Sequence, residues 1–141
     1  METNKALVRR FIDEVHNTGN FARFDELFAP DYVNRSGEPN ANDRASRERL
    51  IKDYRDALPD LHVTIDDMIA EDDRVALRWT THGTHRRPLR TPLGVAAPTN
   101  RAITISGVII FRIAEGQIAE EWIVWDTLSW MQQLGLAKAA A

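Results

Sequence analysis

Residues 102–126 read AITISGVIIFRIAEGQIAEEWIVWD and contain two apolar runs separated by Glu115-Gly116. Apolar side chains occupy both faces of the first run: Ile103, Ile105, Ile109 and Phe111 on one, Val108 and Ile110 on the other. A Gly-containing pair between two such runs is typical of a β-hairpin turn. The segment therefore predicts strands over 102–113 and 117–126. The first strand is expected to be buried on both sides, by helices on one face and by a partner subunit on the other.

The first 60 residues have a different period, because their apolar side chains recur at intervals of three and four. The predicted helices cover 4–17, 21–28 (ended by Pro30) and 46–58 (capped by Ser46), and a last helix covers 127–136. Alternating or apolar runs predict strands at 32–34, 62–66 and 74–84, with loops at 36–44 and 86–101. Helices followed by antiparallel strands indicate a single α+β domain over residues 1–141, folded around an apolar pocket.

Composition excludes several function classes. The chain has 141 residues, 43% of them hydrophobic, and a formal net charge of −3, so no nucleic-acid partner is expected. It contains no cysteine, which excludes disulfides, thiolate nucleophiles and cysteine-ligated zinc. The N-terminus does not resemble a signal peptide, and no apolar run reaches membrane-spanning length. We expect a soluble, cytoplasmic protein without a membrane partner.

Asp126 is the candidate catalytic residue. It ends an apolar, Trp-rich strand, and a poorly hydrated carboxylate has a raised pKa that suits proton transfer near neutrality. It also stands directly before Thr127-Leu128-Ser129, where aspartate is a good helix N-cap. The residues alone leave both roles open. Glu120 and Glu121 are expected to be solvated near the hairpin.

Other pocket candidates are Asn34, Trp79, His85 and Trp122. The amide of Asn34 could bind a carbonyl or its own turn, and His85 could face a pocket mouth or solvent. The tryptophans could line a pocket for a flat ligand or belong to the core. We expect these four residues to contact a small apolar or aromatic carbonyl substrate.

The histidines do not predict a metal site. His82 and His85 are three residues apart on a predicted strand, so they point to opposite faces, and no third ligand follows at a recognisable spacing. His16 and His62 lie at the ends of elements and are interpreted as structural. The arginines of the 86–101 loop are interpreted as solvated or as a lid over an anionic group. No phosphate or dinucleotide motif occurs either, so no cofactor is predicted.

Several segments together resemble the SnoaL-like polyketide cyclases. They are Lys5–Phe11, Phe28–Val33, Leu58–Thr64, Arg78–Thr80, Gly83–His85, Glu121-Trp122, Trp125-Asp126 and Gln133–Gly135. The resemblance spans nearly the whole chain, in the order and spacing of the family. It implies an NTF2-like conical barrel, with three N-terminal helices packed on a curved antiparallel or mixed sheet, usually as a homodimer or homotetramer.

The resemblance also implies an activity. Cyclases of this type close a ring by intramolecular aldol chemistry without a cofactor, and an aspartate at the end of the last strand, matched here by Asp126, serves as general acid/base. Asp126 would then cap and catalyse at once, on an aldol or isomerisation substrate. The alternatives are a non-catalytic module that binds a small ligand, and a hydrolase- or hydroxylase-like variant.

Two departures limit what the resemblance implies. Related limonene epoxide hydrolases carry an Arg-x-Asp pair where this chain has Trp79-Thr80-Thr81, so epoxide hydrolysis by their mechanism is not expected. After His85 the chain has Arg86-Arg87-Pro88-Leu89 where relatives tend to have Gly-x-Phe. Substrate specificity is therefore not transferred.

Overall fold

The computed structural model describes residues 2–36, 42–91 and 93–137. The helical elements in these ranges are α1 (Glu2–Arg10), continued by a π-helical segment (Phe11–Asn17), a 3₁₀ turn (Phe21–Arg23), α2 (Phe24–Leu27), α3 (Arg44–Ala57) and α4 (Thr127–Gln133). The strands are β1 (Phe28–Asn34), β2 (His62–Glu71), β3 (Arg74–Thr84), β4 (Leu89–Thr91), β5 (Gly94–Ala96), β6 (Ala102–Ala114) and β7 (Gln117–Trp125). The predicted α+β class is confirmed.

The main sheet is mixed and has the strand order β1-β7-β6-β3-β2. β1 pairs with β7 in parallel, and the other neighbours pair antiparallel. The predicted hairpin between β6 and β7 is confirmed, since Glu115 and Gly116 both adopt positive φ angles of 51° and 75°. Two consecutive left-handed residues match the right-handed twist of paired strands.

The helices cover one face of the sheet and form the core with it. Phe11, Ile12 and Val15 of the π-helical segment are buried, as their spacing predicted. Phe28 links the helices to the sheet, with its ring stacked on Phe24 at 4.2 Å and edge-on to Phe11 at 4.9 Å. This layer fixes the first helix against the strands that carry the site.

Two predicted boundaries in the N-terminal half are wrong. The helix predicted over 21–28 ends at Leu27, and the strand predicted at 32–34 begins at Phe28 and contains Pro30. Pro30 is exposed, and β1 ends the order of the main sheet, where a missing N–H costs no ladder hydrogen bond. The edge strand β1 therefore tolerates Pro30, which was expected to separate the second helix from the strand.

The cap of α3 also differs from the prediction. Asp43 is the N-cap, and its carboxylate accepts a hydrogen bond from the Ser46 backbone N–H at 2.8 Å. Of the loop predicted over 36–44, positions 37–41 lie outside the described residues. The 86–101 segment is not wholly a loop, since it contains the β4–β5 hairpin.

The outer face of β6 is open in the single chain. Val108 is 43% exposed and Ile110 39% exposed on the face where a partner subunit was expected. A homodimer or homotetramer that covers this face stays a prediction. No helix within the described residues is long and apolar enough to span a membrane.

Candidate active site

The helices and the inner face of the sheet line a cavity of about 100 Å³ that is partly open to solvent. Much of its wall is aliphatic and includes Ile12, Leu50, Leu58, Val63, Ile105 and Ile109. An engineered apolar cavity of roughly 150 Å³ holds benzene, so this space, which is smaller but partly open, suits a compound of no more than about one ring. A wall of this kind favours a largely apolar ligand that a few polar groups orient.

Polar and titratable side chains interrupt the wall at several points, among them His16, Arg47, Tyr54, Trp79 and Thr81. Among the described residues, no aspartate or glutamate lines the cavity. Any proton transfer within the cavity therefore requires a group other than a carboxylate of the wall.

Arg47 is held at the cavity by a buried ion pair. Its Nε and Nη2 atoms donate to the two carboxylate oxygens of Glu121 at 3.0 and 3.3 Å, and Tyr32 Oη donates to Glu121 Oε1 at 2.7 Å. All three residues are buried, and Glu121 is fully so. Burial and the adjacent carboxylate raise the pKa of the Tyr32 hydroxyl, which keeps it a donor. The network presents a guanidinium at a fixed place in an apolar wall.

Local structure explains this network. Ala119 and Glu121 on β7 are buried, and Ile123 and Trp125 line the cavity, so odd-numbered residues from Ala119 onward face inward. Arg47 lies in the first half of α3, four residues before the buried Ile51, on the same helix face. The expectation that Glu121 is solvated is therefore wrong, because its position on β7 places it inside.

His16 is a second polar group of the wall. It lies in the π-helical segment, and its ring meets the Phe11 ring edge-on at 4.8 Å. The Arg47 guanidinium is 5.8 Å from the centroid of the same Phe11 ring. Burial, together with the charges of Arg47 and Arg55, lowers the pKa of His16 to about 3. The imidazole is therefore neutral at physiological pH, and one of its nitrogens can accept a proton.

Asp126 lies outside the cavity wall. It is exposed, and its Oδ1 accepts from the Ser129 N–H at 3.0 Å as the N-cap of α4. Its backbone N–H donates to Ser106 O at 3.2 Å, which ties the end of β7 to β6. The structure thus shows the capping arrangement, while a catalytic role for Asp126 stays a prediction.

Trp79, one of the four candidate pocket residues, lines the cavity, and its contact with a substrate stays a prediction. It lies on β3, half-buried, opposite Gly107 of β6 in the register of the sheet. Its Nε1 atom is shielded from solvent and has no hydrogen-bond partner among the described residues. The indole N–H of Trp79 is therefore buried and unpaired within the described part of the chain.

The other three predicted pocket residues do not line the cavity. Asn34 is buried beside Glu121 in the β1–β7 register, and its Oδ1 accepts from the Ser36 N–H at 2.9 Å. His85 is buried, its Nδ1 lies 3.2 Å from Thr99 Oγ1, and burial lowers its pKa. Trp122 has its ring 5.0 Å from the Arg74 guanidinium, away from the cavity.

The basic segment lies outside the wall as well. Arg86, Arg87, Arg90 and Arg101 are all exposed, and none of them lines the cavity. Arg87 forms an exposed ion pair with Asp56 at 3.2 Å. These positions fit the interpretation of solvated arginines.

Sequence reasoning missed His16, Arg47 and Glu121. His16 follows the inward Ile12 by four residues, a spacing that already indicates the buried face of the helix. Glu121 shares its strand phase with Ile123 and therefore faces inward. The local sequence around Arg47 does not indicate burial, because its partner Glu121 is 74 positions away along the chain.

Comparisons with known proteins agree with this fold. The family model described as SnoaL-like polyketide cyclase matches residues 6–134. No curated protein sequence matches the chain.

Solved structures show the same similarity over nearly the whole chain. AclR, a candidate hydroxylase from Streptomyces galilaeus, is 26% identical with a TM-score of 0.83, over 100% of this chain and 86% of that one. IdmH, a candidate polyketide cyclase from Streptomyces antibioticus, is 25% identical with a TM-score of 0.76, over 94% and 98%. TsrD from Streptomyces laurentii is 23% identical with a TM-score of 0.83, over 96% and 97%, which shows the shared fold alone.

Proposed function

Because the chain belongs to the SnoaL-like polyketide cyclase family, we propose that it is a cofactor-independent enzyme acting on a small apolar carbonyl compound. The reaction is an intramolecular aldol ring closure or a double-bond isomerisation. The observation that carries the proposal is the Arg47 guanidinium, which Glu121 and Tyr32 hold at the wall of an apolar cavity.

Arg47 stabilises the enolate oxygen in this mechanism. Both reactions remove a proton from the carbon beside a carbonyl, and the negative charge moves to the oxygen. A cation that is already fixed in a dry site stabilises this charge without reorganisation when it forms. Glu121 and Tyr32 position the guanidinium, and neither residue lines the cavity.

His16 is the proposed proton carrier. Its neutral imidazole accepts the proton from carbon, and the imidazolium returns it to the new alkoxide in ring closure, or to a distant carbon in isomerisation. Burial is the largest cause of the low pKa of His16 in the free protein, and the charges of Arg47 and Arg55 lower it further. An enolate beside Arg47 offsets that charge, so the imidazole becomes more basic as the reaction proceeds.

Asp126 remains the alternative proton carrier. The family resemblance supports it, while its exposed position and its cap to Ser129 favour His16. The two assignments predict opposite behaviour of Asp126→Asn and His16→Gln, since each variant removes one group and leaves the other.

A second candidate function is non-catalytic binding of a small ligand in the same cavity. The absence of a carboxylate from the described part of the wall favours it. A hydroxylase-like activity is a further alternative, suggested by the similarity to AclR. Water or oxygen labelled with ¹⁸O distinguishes it, because ring closure and isomerisation add no new oxygen to the product.

The test uses two small substrates that fit about one ring. Heptane-2,6-dione closes to 3-hydroxy-3-methylcyclohexanone, and cyclohex-3-enone isomerises to cyclohex-2-enone. We expect turnover by the wild type, a loss of about 10²-fold or more in His16→Gln, and near-normal turnover in Asp126→Asn. Circular dichroism checks that each variant is folded.

Other outcomes contradict parts of the proposal. A loss confined to Asp126→Asn assigns proton transfer to Asp126. Equal turnover by the wild type, His16→Gln and Asp126→Asn shows that neither residue is the proton carrier. Binding of the two compounds without turnover supports the ligand-binding module.

A further inference from the structure

The end of the π-helical segment is held by Arg55, a residue of α3. Its Nη1 atom donates to the backbone carbonyl of His16 at 2.5 Å. The last carbonyls of a helix have no partner within the helix, so a donor from another element satisfies one that would otherwise stay unpaired. The bond therefore fixes the backbone of a residue that lines the cavity.

Gly19 admits the guanidinium at this place. Its φ angle is 74°, which favours glycine, and a Cβ there would lie 2.8 Å from Arg55 Nε and 2.9 Å from Arg55 Nη2. Any side chain at position 19 would therefore displace the guanidinium. The turn after the π-helical segment is shaped to receive Arg55.

Asn17, the neighbour of His16, is attached to the sheet. Its Nδ2 atom donates to Val63 O at 2.9 Å, and its Oδ1 atom accepts from the Val63 N–H at 2.7 Å. Val63 belongs to β2 and lines the cavity. Two tertiary attachments, one to α3 and one to the sheet, thus meet at His16 and Asn17. π-helical turns are rare and frequently occur at functional sites.

We infer that Arg55 is a positioning residue for His16, which holds the end of the π-helical segment so that the imidazole keeps its place in the cavity wall. The inference rests on the proposed function and deepens it, because it assigns a second arginine of α3 to the proton-transfer site. Arg55 does not itself line the cavity, so it acts through His16 and not on the ligand.

The charge of Arg55 acts on the same imidazole. Burial is the largest cause of the low pKa of His16, followed by the charges of Arg47 and Arg55, which both lie on α3. The two arginines differ, because Arg47 is paired with the Glu121 carboxylate, whereas Arg55 donates to a neutral carbonyl. Removal of Arg55 should therefore release the ring and also raise the pKa of His16.

The experiment follows the His16 ring by NMR in the full-length chain labelled with ¹⁵N-histidine. His16→Gln assigns the signals among the four histidines. Arg55→Met removes the donor and the charge, and Arg55→Lys retains the charge. Lys52→Met is the matched control, since Lys52 is also a cation of α3, but its Nζ lies 5.0 Å from the centroid of the Phe21 ring and 3.7 Å from Glu48 Oε1.

We expect the His16 ring signals at pH 7 to shift in Arg55→Met, because the edge-on Phe11 ring makes them sensitive to the position of the imidazole. On acidification, the imidazolium form should appear at a higher pH in Arg55→Met than in the wild type, and near the wild-type pH in Arg55→Lys. Lys52→Met should behave as the wild type does.

Turnover separates positioning from binding. In Arg55→Met, kcat for heptane-2,6-dione should fall by about tenfold or more, while KM and the affinity for cyclohexanone change by less than about threefold. Arg55→Lys should recover part of kcat. If Arg55→Met does not fold, Arg55→Gln takes its place, because it also removes the guanidinium.

Two results overturn the inference. His16 ring signals that are the same in Arg55→Met and the wild type would show that Arg55 does not hold the ring. A loss of affinity for cyclohexanone as large as the loss in kcat would show that Arg55 supports the cavity as a whole. If the wild type turns over neither substrate, the proposed function fails, and the NMR comparison alone decides the inference.

Discussion

Arg47 and Glu121 form a buried ion pair in which Nε and Nη2 of the guanidinium donate to the two carboxylate oxygens at 3.0 and 3.3 Å. The exposed fractions of the two side chains are 5% and 0%. Removing two charges from water costs several kcal/mol per ion, which close geometry and added hydrogen bonds offset. Tyr32 supplies one such bond, so the pair is a structural support and positions the arginine of the cavity.

Removal of Arg47 alone should be strongly destabilising. Arg47→Met leaves the Glu121 carboxylate buried without its cation, and we expect a loss of about 3–5 kcal/mol in the free energy of unfolding. The double variant Arg47→Met/Glu121→Gln removes both charges, keeps an acceptor for Tyr32 and should recover most of that loss. Urea unfolding measures both values.

The exposed pair of Arg87 and Asp56 is the control for this prediction. Arg87→Met should cost no more than about 1 kcal/mol, since exposed pairs contribute little. An equal cost for Arg47→Met and Arg87→Met would contradict the structural role of the buried pair.

His16 should make stability depend on pH. Its pKa of about 3 in the folded protein lies below the unfolded value of about 6.5, so the unfolded chain binds more protons between these limits. Its contribution to stability is complete above pH 6.5 and is lost as pH falls towards 3, by up to about 1.4 kcal/mol per pH unit.

The measurement is urea unfolding between pH 4.5 and 7.5 for wild type and His16→Gln. Subtracting the free energy of unfolding of His16→Gln from that of the wild type at each pH cancels the contributions of His85 and of carboxylates with lowered pKa, such as Glu120 and Asp60. His62→Gln, at an exposed position, is the control and should keep the wild-type slope. An unchanged slope in His16→Gln would disprove the prediction.

Asp126 should contribute to stability as the cap of α4. Asp126→Ala removes the acceptor for the Ser129 N–H, and we expect a loss of about 1 kcal/mol. Asp126→Asn should cost less, because asparagine caps nearly as well. Thermal unfolding compares both with Asp31→Ala, a change at an exposed position of β1. Equal values for Asp126→Ala and Asp31→Ala would show that the cap contributes nothing.

The fold could be predicted largely because its signals are local. Two apolar runs separated by Glu115-Gly116 identify the β6–β7 hairpin, and helical spacing identifies the helix that contains Phe11. The boundary at Pro30 was predicted wrongly, because proline is tolerated in an edge strand but not in a central one. Whether β1 is an edge strand depends on the pairing order of the sheet, which the local sequence does not give.

The site could be predicted only in part, because it depends on contacts between distant segments. The residue type of Trp79 left a pocket and a core position open, and the residue lies in the cavity wall. Asp126 was singled out by its position at the end of β7, yet strand alternation puts it out of phase with Glu121, Ile123 and Trp125. Arg47 required the tertiary structure, since an arginine on a helix is ordinarily exposed.

Gly83 should control the shape of the cavity through Leu58. A Cβ on Gly83 would lie 2.7 Å from Leu58 Cδ2 and 3.0 Å from Leu58 Cβ. Leu58 is buried and lines the cavity, so Gly83→Ala must displace it. We expect a loss of about 1–3 kcal/mol from overpacking, and weaker binding of cyclohexanone.

A double-mutant cycle tests this relationship. Leu58→Ala removes the side-chain atoms beyond Cβ, so Gly83→Ala should cost less in the Leu58→Ala background than in the wild type. The coupling is read from the free energies of unfolding of the four proteins. Additive costs would mean that the backbone of β3 absorbs the new methyl group, and that Gly83 does not act on the cavity through Leu58.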